Sequence, residues 1–132
     1  MIDVKIYETE EGKSPFEDWL DGIGSVTAKS RILKALSRLE TGLISDSRPV
    51  GKGVHEIKLH FEKGYRLYFG YDGDKLVILL TGSDKSDQKK AIKKAHQYWQ
   101  DYKKRKTQTN QGSEESNNET RKRADSGGAK KK

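Results

Sequence analysis

Residues 54–85 read VHEIKLHFEKGYRLYFGYDGDKLVILLTGSDK, and the reading of this stretch decides the fold. Ile57, Leu59 and Phe61 alternate with Glu56, Lys58 and His60. That period of two places the two sets on opposite faces of a strand. Glu62-Lys63-Gly64 is short enough for a hairpin turn. In the next run Tyr65, Leu67, Phe69 and Tyr71 share one face, with Arg66 and Tyr68 on the other. Asp72-Gly73-Asp74 makes a second tight turn. Residues 76–80 are continuously apolar, as in a central strand covered on both faces. The expectation is an antiparallel meander of three strands that leaves the sheet at Gly82-Ser83-Asp84-Lys85.

On the N-terminal side, Ile2, Val4 and Ile6 alternate with polar neighbours, which predicts a half-buried strand over 2–8. Ser14 suits a helix N-cap, Pro15 the first helical position, and Glu17 the third. Phe16, Trp19, Leu20 and Ile23 then fall on one helical face, and Gly22 and Gly24 limit this helix to two or three turns. A second helix follows Ser25, with an apolar stripe of Ala28, Ile32, Ala35, Leu36, Leu39 and Leu43 and a terminator at Gly42. Residues 44–53 read as a loop, because Pro49, Gly51 and Gly53 suit neither a helix nor a regular strand interior. After the meander, Ile92, Ala95, Trp99 and Tyr102 predict a helix from about Ser86. The fold class is therefore α+β, in the order β-α-α-β-β-β-α, with a mostly antiparallel sheet. Two N-terminal helices pack on one sheet face and leave the other partly open.

The chain of 132 residues is 31% hydrophobic and 36% charged, too polar for all of it to pack around one core. The domain is expected at 1–104. Residues 105–132 are expected to be a disordered basic and polar tail, since they contain no aromatic side chain and no apolar one larger than alanine. There is no cysteine, so no disulfide framework, thiolate chemistry or metal site is indicated, and no cofactor is expected. The first residues lack the basic flank and apolar run of a signal peptide. No stretch nears the roughly 20 apolar residues that span a bilayer; the lack of cysteine fits a reducing cytoplasm, where the protein is expected. A net charge of +7 points to polyanionic partners. Residues 85–105 carry eight Lys and Arg against Asp87 and Asp101.

Glu56, Lys58 and His60 project from one strand and Arg66 and Tyr68 from its neighbour, within about 5–8 Å of one another across a hairpin. Lys85 lies near the same rim. RNA self-cleavage requires such a set: a base for the 2′-hydroxyl, cations for the phosphate, and an acid for the leaving 5′-oxygen. Arginine and lysine stabilise phosphate charge, and an imidazole moves protons near neutral pH. From alternation alone, such a row is more often a solvated sheet face. The pairs Lys89-Lys90 and Lys93-Lys94 either track a phosphate backbone or are simply solvated. His55 and His96 read as ordinary surface or packing residues.

The stretches Glu56-Ile57-Lys58-Leu59-His60, Gly64-Tyr65-Arg66-Leu67-Tyr68-Phe69 and Gly82-Ser83-Asp84-Lys85-Ser86, with the element order, resemble the RelE/ParE superfamily of toxins. The nearest likeness is to its HigB-like addiction-module killer branch, over residues 1–104. The resemblance implies a small RelE-like fold and a bacterial toxin neutralised by an antitoxin protein. It further implies a metal-independent endoribonuclease that cuts mRNA, typically on the ribosome, and so inhibits translation. It makes Lys58, His60 and Arg66 the catalytic candidates, joined by Glu56 as a proton acceptor; Tyr68, Lys85, Lys89 and Lys93 are the expected RNA contacts. Two departures stand out: Glu56 occupies a position where RelE carries a lysine, and no tyrosine follows Lys85. The superfamily also contains ParE-like members that poison DNA gyrase instead. A non-catalytic nucleic-acid-binding module is the third reading. An acidic or amphipathic antitoxin segment is expected to cover the open sheet face and its basic rim.

Overall fold

The computed structural model describes residues 2–42 and 47–116, with side chains through residue 107. Five strands form one mixed sheet: β1 (Asp3–Ile6), β2 (Ser47–Pro49), β3 (Val54–Leu59), β4 (Tyr65–Tyr71) and β5 (Leu76–Ser83). Their spatial order is β1-β5-β4-β3-β2. The meander pairs antiparallel throughout, whereas β1 runs parallel to β5, with Val4 opposite Val77. Three helices complete the α+β fold: α1 (Pro15–Asp21), α2 (Val26–Glu40) and α3 (Gln88–Ser116), the last preceded by a 3-10 turn over Lys85–Asp87. The chain divides into two compact units, the first ending at Trp99 and the second beginning at Gln100.

The Ser14 N-cap forms as the sequence predicts, and Ser25, after which the second helix is expected, caps α2. Ser14 Oγ accepts the Glu17 amide at 3.2 Å, and Ser25 Oγ accepts the Ala28 amide at 3.1 Å. Each satisfies one of the amides a helix start leaves unpaired. Gly42 ends the α2 segment in a left-handed conformation (φ 85°), which costs glycine little. Leu43, expected on the α2 stripe, lies outside the described residues.

The two faces of the sheet are built differently. On one, Phe16, Ala28, Ile32, Leu39, Ile57, Tyr65, Leu67, Phe69, Val77 and Leu79 form the core beneath α1 and α2. On the other, α3 covers the sheet with Ala91, Ala95 and Trp99, all buried. The face expected to be partly open is therefore closed by the helix that follows β5. A glycine lets a tryptophan approach each face. A Cβ at Gly82 would lie 2.4 Å from the Trp19 ring, and one at Gly70 would lie 2.7 Å from the Trp99 ring.

Three further boundaries differ from expectation. Residues 47–49, expected in a loop, form β2, with Pro49 opposite His55; β2 pairs only with β3, and an edge strand tolerates a proline that donates nothing to the ladder. The strand expected to end before Gly82 keeps Gly82 and Ser83 paired with Leu67 and Arg66. Helix α3 passes the expected tail boundary at 105 and continues to Ser116. Local bonds support that extension: Arg105 Nη2 pairs with Asp101 at 2.8 Å one turn earlier, and Thr107 Oγ1 donates to Lys103 O at 3.0 Å. The remainder of the expected tail, 117–132, lies outside the described residues. No helix among the described residues is long and apolar enough to cross a membrane.

Candidate functional site

The register brings the candidate side chains into two cross-strand rows. Lys58 stands opposite Arg66, which stands opposite Ser83; Glu56 stands opposite Tyr68, which stands opposite Thr81. These rows share the sheet face covered by α3. Glu56 is wholly buried, which rules out a solvated sheet face at that position. A buried carboxylate must be met by donors. Here Arg48 Nε donates to Oε1 at 3.0 Å, while Oε2 accepts from Gln88 Nε2 at 2.8 Å and from Tyr68 OH at 3.0 Å. Burial pushes the Glu56 carboxyl up, but the bonds from Gln88, Arg48 and Tyr68, with the Arg48 charge, outweigh it and hold the group below its ordinary value. Glu56 is thus a fixed anion.

Arg66 is 6% exposed. Its Nε lies 3.6 Å from Glu56 Oε2, an ion pair without a hydrogen bond, and this Nε is the one buried side-chain nitrogen or oxygen without a hydrogen-bond partner among the described residues. At the other end, Nη1 donates to Gly64 O at 2.7 Å. A Cβ placed at Gly64 would lie 3.6 Å from both Arg66 Nη1 and Lys85 Cβ, so Lys85 flanks the guanidinium at the rim. The Lys85 amide is held by Lys63 O at 3.2 Å. Asp84 caps the turn, accepting from Ser86 Oγ at 2.7 Å and from the Asp87 amide at 3.2 Å. The Ser86 hydroxyl, with these backbone amides, holds the Asp84 carboxyl below its ordinary value.

Tyr68 OH gives its only proton to Glu56, so the 3.1 Å bond to Ser83 Oγ has the serine as donor. Burial, followed by the nearby Glu56 charge, pushes this phenol well above its usual range and keeps it neutral.

Several candidate roles change accordingly. Tyr68, expected to contact RNA, is fully buried beneath α3 with its hydroxyl bonded internally. Glu56, expected to accept a proton, has its oxygens occupied by three donors and no exposure. His60 does not extend the row on β3: the strand ends at Leu59, and His60 is an exposed residue of the turn that follows. Lys58 and Lys85 are exposed where the alternation places them, and Lys89 and Lys93 are exposed on the first turns of α3. Arg48 and Gln88 were absent from the sequence reading, and Ser83 entered it only as part of the turn after the third meander strand. Gln88 carried a usable signal, since it sits one turn before the buried Ala91 on the same helical stripe; Arg48, in an irregular stretch, carried none.

The arrangement is a buried anion that fixes one arginine, with two exposed lysines beside that arginine. Such a set of cations is of the kind that suits an anionic group such as a phosphate. No family model matches the chain. An uncharacterized protein of Haemophilus influenzae is 39% identical to it over 80 residues, which cover 61% of this chain and 81% of the relative. At that identity and coverage, the chain belongs to the same family as the Haemophilus influenzae protein.

Proposed function

We propose that this protein is the toxin of a toxin–antitoxin pair and acts as a cytoplasmic endoribonuclease on mRNA, on the ribosome, with a RelE-like fold. The observation that carries the reading is Arg66, held between Glu56 and Gly64 O with Lys58 opposite and Lys85 beside it. A guanidinium fixed in this way loses little freedom on meeting a phosphate. The resemblance of the Gly64–Phe69 hairpin and the Gly82–Ser86 turn to RelE/ParE toxins supports the same reading.

In the proposed reaction the 2′-oxygen attacks the adjacent phosphorus while the bond to the 5′-oxygen breaks, giving a 2′,3′-cyclic phosphate and a free 5′-hydroxyl. Arg66 and Lys58 take the charge that builds on the non-bridging oxygens. His60, in the exposed turn, moves the proton between the 2′-hydroxyl and the leaving oxygen. Glu56 is a positioning residue that orients Arg66. Arg66→Ala and His60→Ala are each expected to slow cleavage of a model mRNA at least about tenfold, within the usual range for loss of a charge-stabilising or proton-transferring group, without loss of folded structure by circular dichroism. Cleavage at the wild-type rate by both variants would remove this assignment.

One observation favours a second reading. With Glu56 sealed from solvent, the carboxylate expected to accept a proton cannot reach a substrate, as suits a protein that binds its target without turnover. That target would be DNA gyrase, and inhibition of supercoiling by purified protein with mRNA left intact would select this reading.

A further inference from the structure

Beside the Arg66 row lies a cleft of about 400 Å³ between the start of α1, the end of β5 and the first turns of α3. Three lysines line it: Lys13 from the loop before α1, and Lys90 and Lys94 one turn apart on α3. All three are exposed, and among the described residues none forms an ion pair with Asp18 or Asp87, the acidic residues of the same lining. Three lysines against two carboxylates, with no direct ion pair between them, leave the lining a positive surplus for a ligand to neutralise. Ser83 also lines the cleft, and it is the direct cross-strand neighbour of Arg66. The Arg66 site and the cleft therefore adjoin through one residue.

We infer that this cleft is a nucleotide subsite that holds the single-stranded RNA next to the scissile phosphate, with Lys90 and Lys94 on its backbone. The mixed lining suits a nucleotide better than a bare anion. Ammonium groups meet phosphate, the Asp18 and Asp87 carboxylates accept from ribose hydroxyls or base amines, and Trp19 and Tyr98 offer aromatic surface. The expected contacts Lys89 and Lys93 do not line this cleft; their neighbours Lys90 and Lys94 do. The inference rests on the RNA reading above but does not require cleavage.

The test uses the full chain and a short fluorescent single-stranded RNA made uncleavable by 2′-O-methylation, with binding followed by anisotropy at several salt concentrations. The doubly substituted Lys90→Ala/Lys94→Ala protein is compared with a control that loses the same charge on the opposite sheet face, Lys34→Ala/Arg38→Ala. The cleft variant is expected to bind at least about tenfold more weakly and to lower the salt slope by about 0.7 for each phosphate-contacting lysine removed, while the control stays within about twofold of wild type. Equal weakening in the two variants, unchanged binding by the cleft variant, or no RNA binding by the wild type would each overturn the subsite. Weakened binding with an uncut natural RNA would retain the subsite and remove the nuclease. Cleavage with an indifferent cleft variant would do the reverse.

Discussion

A carboxylate taken wholly out of water, as Glu56 is, persists only where donors replace the lost solvent. Removing its charge leaves the Arg66 guanidinium buried without its counter-ion, so Glu56→Gln is expected to cost about 3–5 kcal/mol in urea unfolding. The folded carboxyl is held below its ordinary value of 4.5, so the unfolded chain binds the proton more readily. The stability Glu56 supplies is complete above that ordinary value and is lost as pH falls through the folded one. The gap between wild type and Glu56→Gln should therefore be widest near neutral pH and narrow as the pH falls below the ordinary value of 4.5; a gap that stays constant to lower pH would show that Glu56 is not a paired anion. Tyr68→Phe keeps the ring but removes one donor to Glu56 and the acceptor for Ser83, at about 1–3 kcal/mol. At this scale the sequence was least legible. Alternation put Glu56, Arg66 and Tyr68 on one face, but whether that face meets water depended on Gln88, 32 positions away, and on α3 behind it.

Between elements, contact is closest where glycine faces tryptophan. A methyl group at Gly82 would enter the Trp19 ring, and one at Gly70 the Trp99 ring, so Gly82→Ala and Gly70→Ala should each destabilise by about 1–3 kcal/mol, as overpacked positions do. Thermal unfolding unchanged in both variants would mean the helices do not seat as described. The Gly70 variant bears more on function, because the α3 segment that carries Trp99 also brings Gln88 to Glu56. Elements with strong local signals were legible: the Ser14 and Ser25 caps, the alternation of β3 and β4, and the apolar run of β5. The short β2 was not, since three residues containing a proline carry no periodicity and form a strand only because β3 offers an edge. The parallel pairing of β1 with β5 was equally hidden, because partner choice between strands distant in sequence is a property of the packed sheet.

For the whole molecule, the proposed RNA reading combined with a surplus of seven positive charges and the run of lysines on α3 predicts binding led by phosphate contacts. The logarithm of RNA affinity should fall linearly with the logarithm of salt concentration, by about 0.7 for each single-strand phosphate neutralised. Affinity independent of salt would contradict a phosphate-led interface. The face on which an antitoxin segment is expected by resemblance is covered by α3, while Lys58 and Lys85 at its rim are exposed. The central claim, that Arg66 is the phosphate-binding centre of an mRNA-cleaving toxin, is tested most directly in a bacterial host. Wild type and Arg66→Ala are induced and new mRNA ends are mapped by primer extension. Growth arrest with new ends is expected for the wild type, and neither for the variant. Arrest with intact mRNA, or the same ends from both proteins, would contradict it.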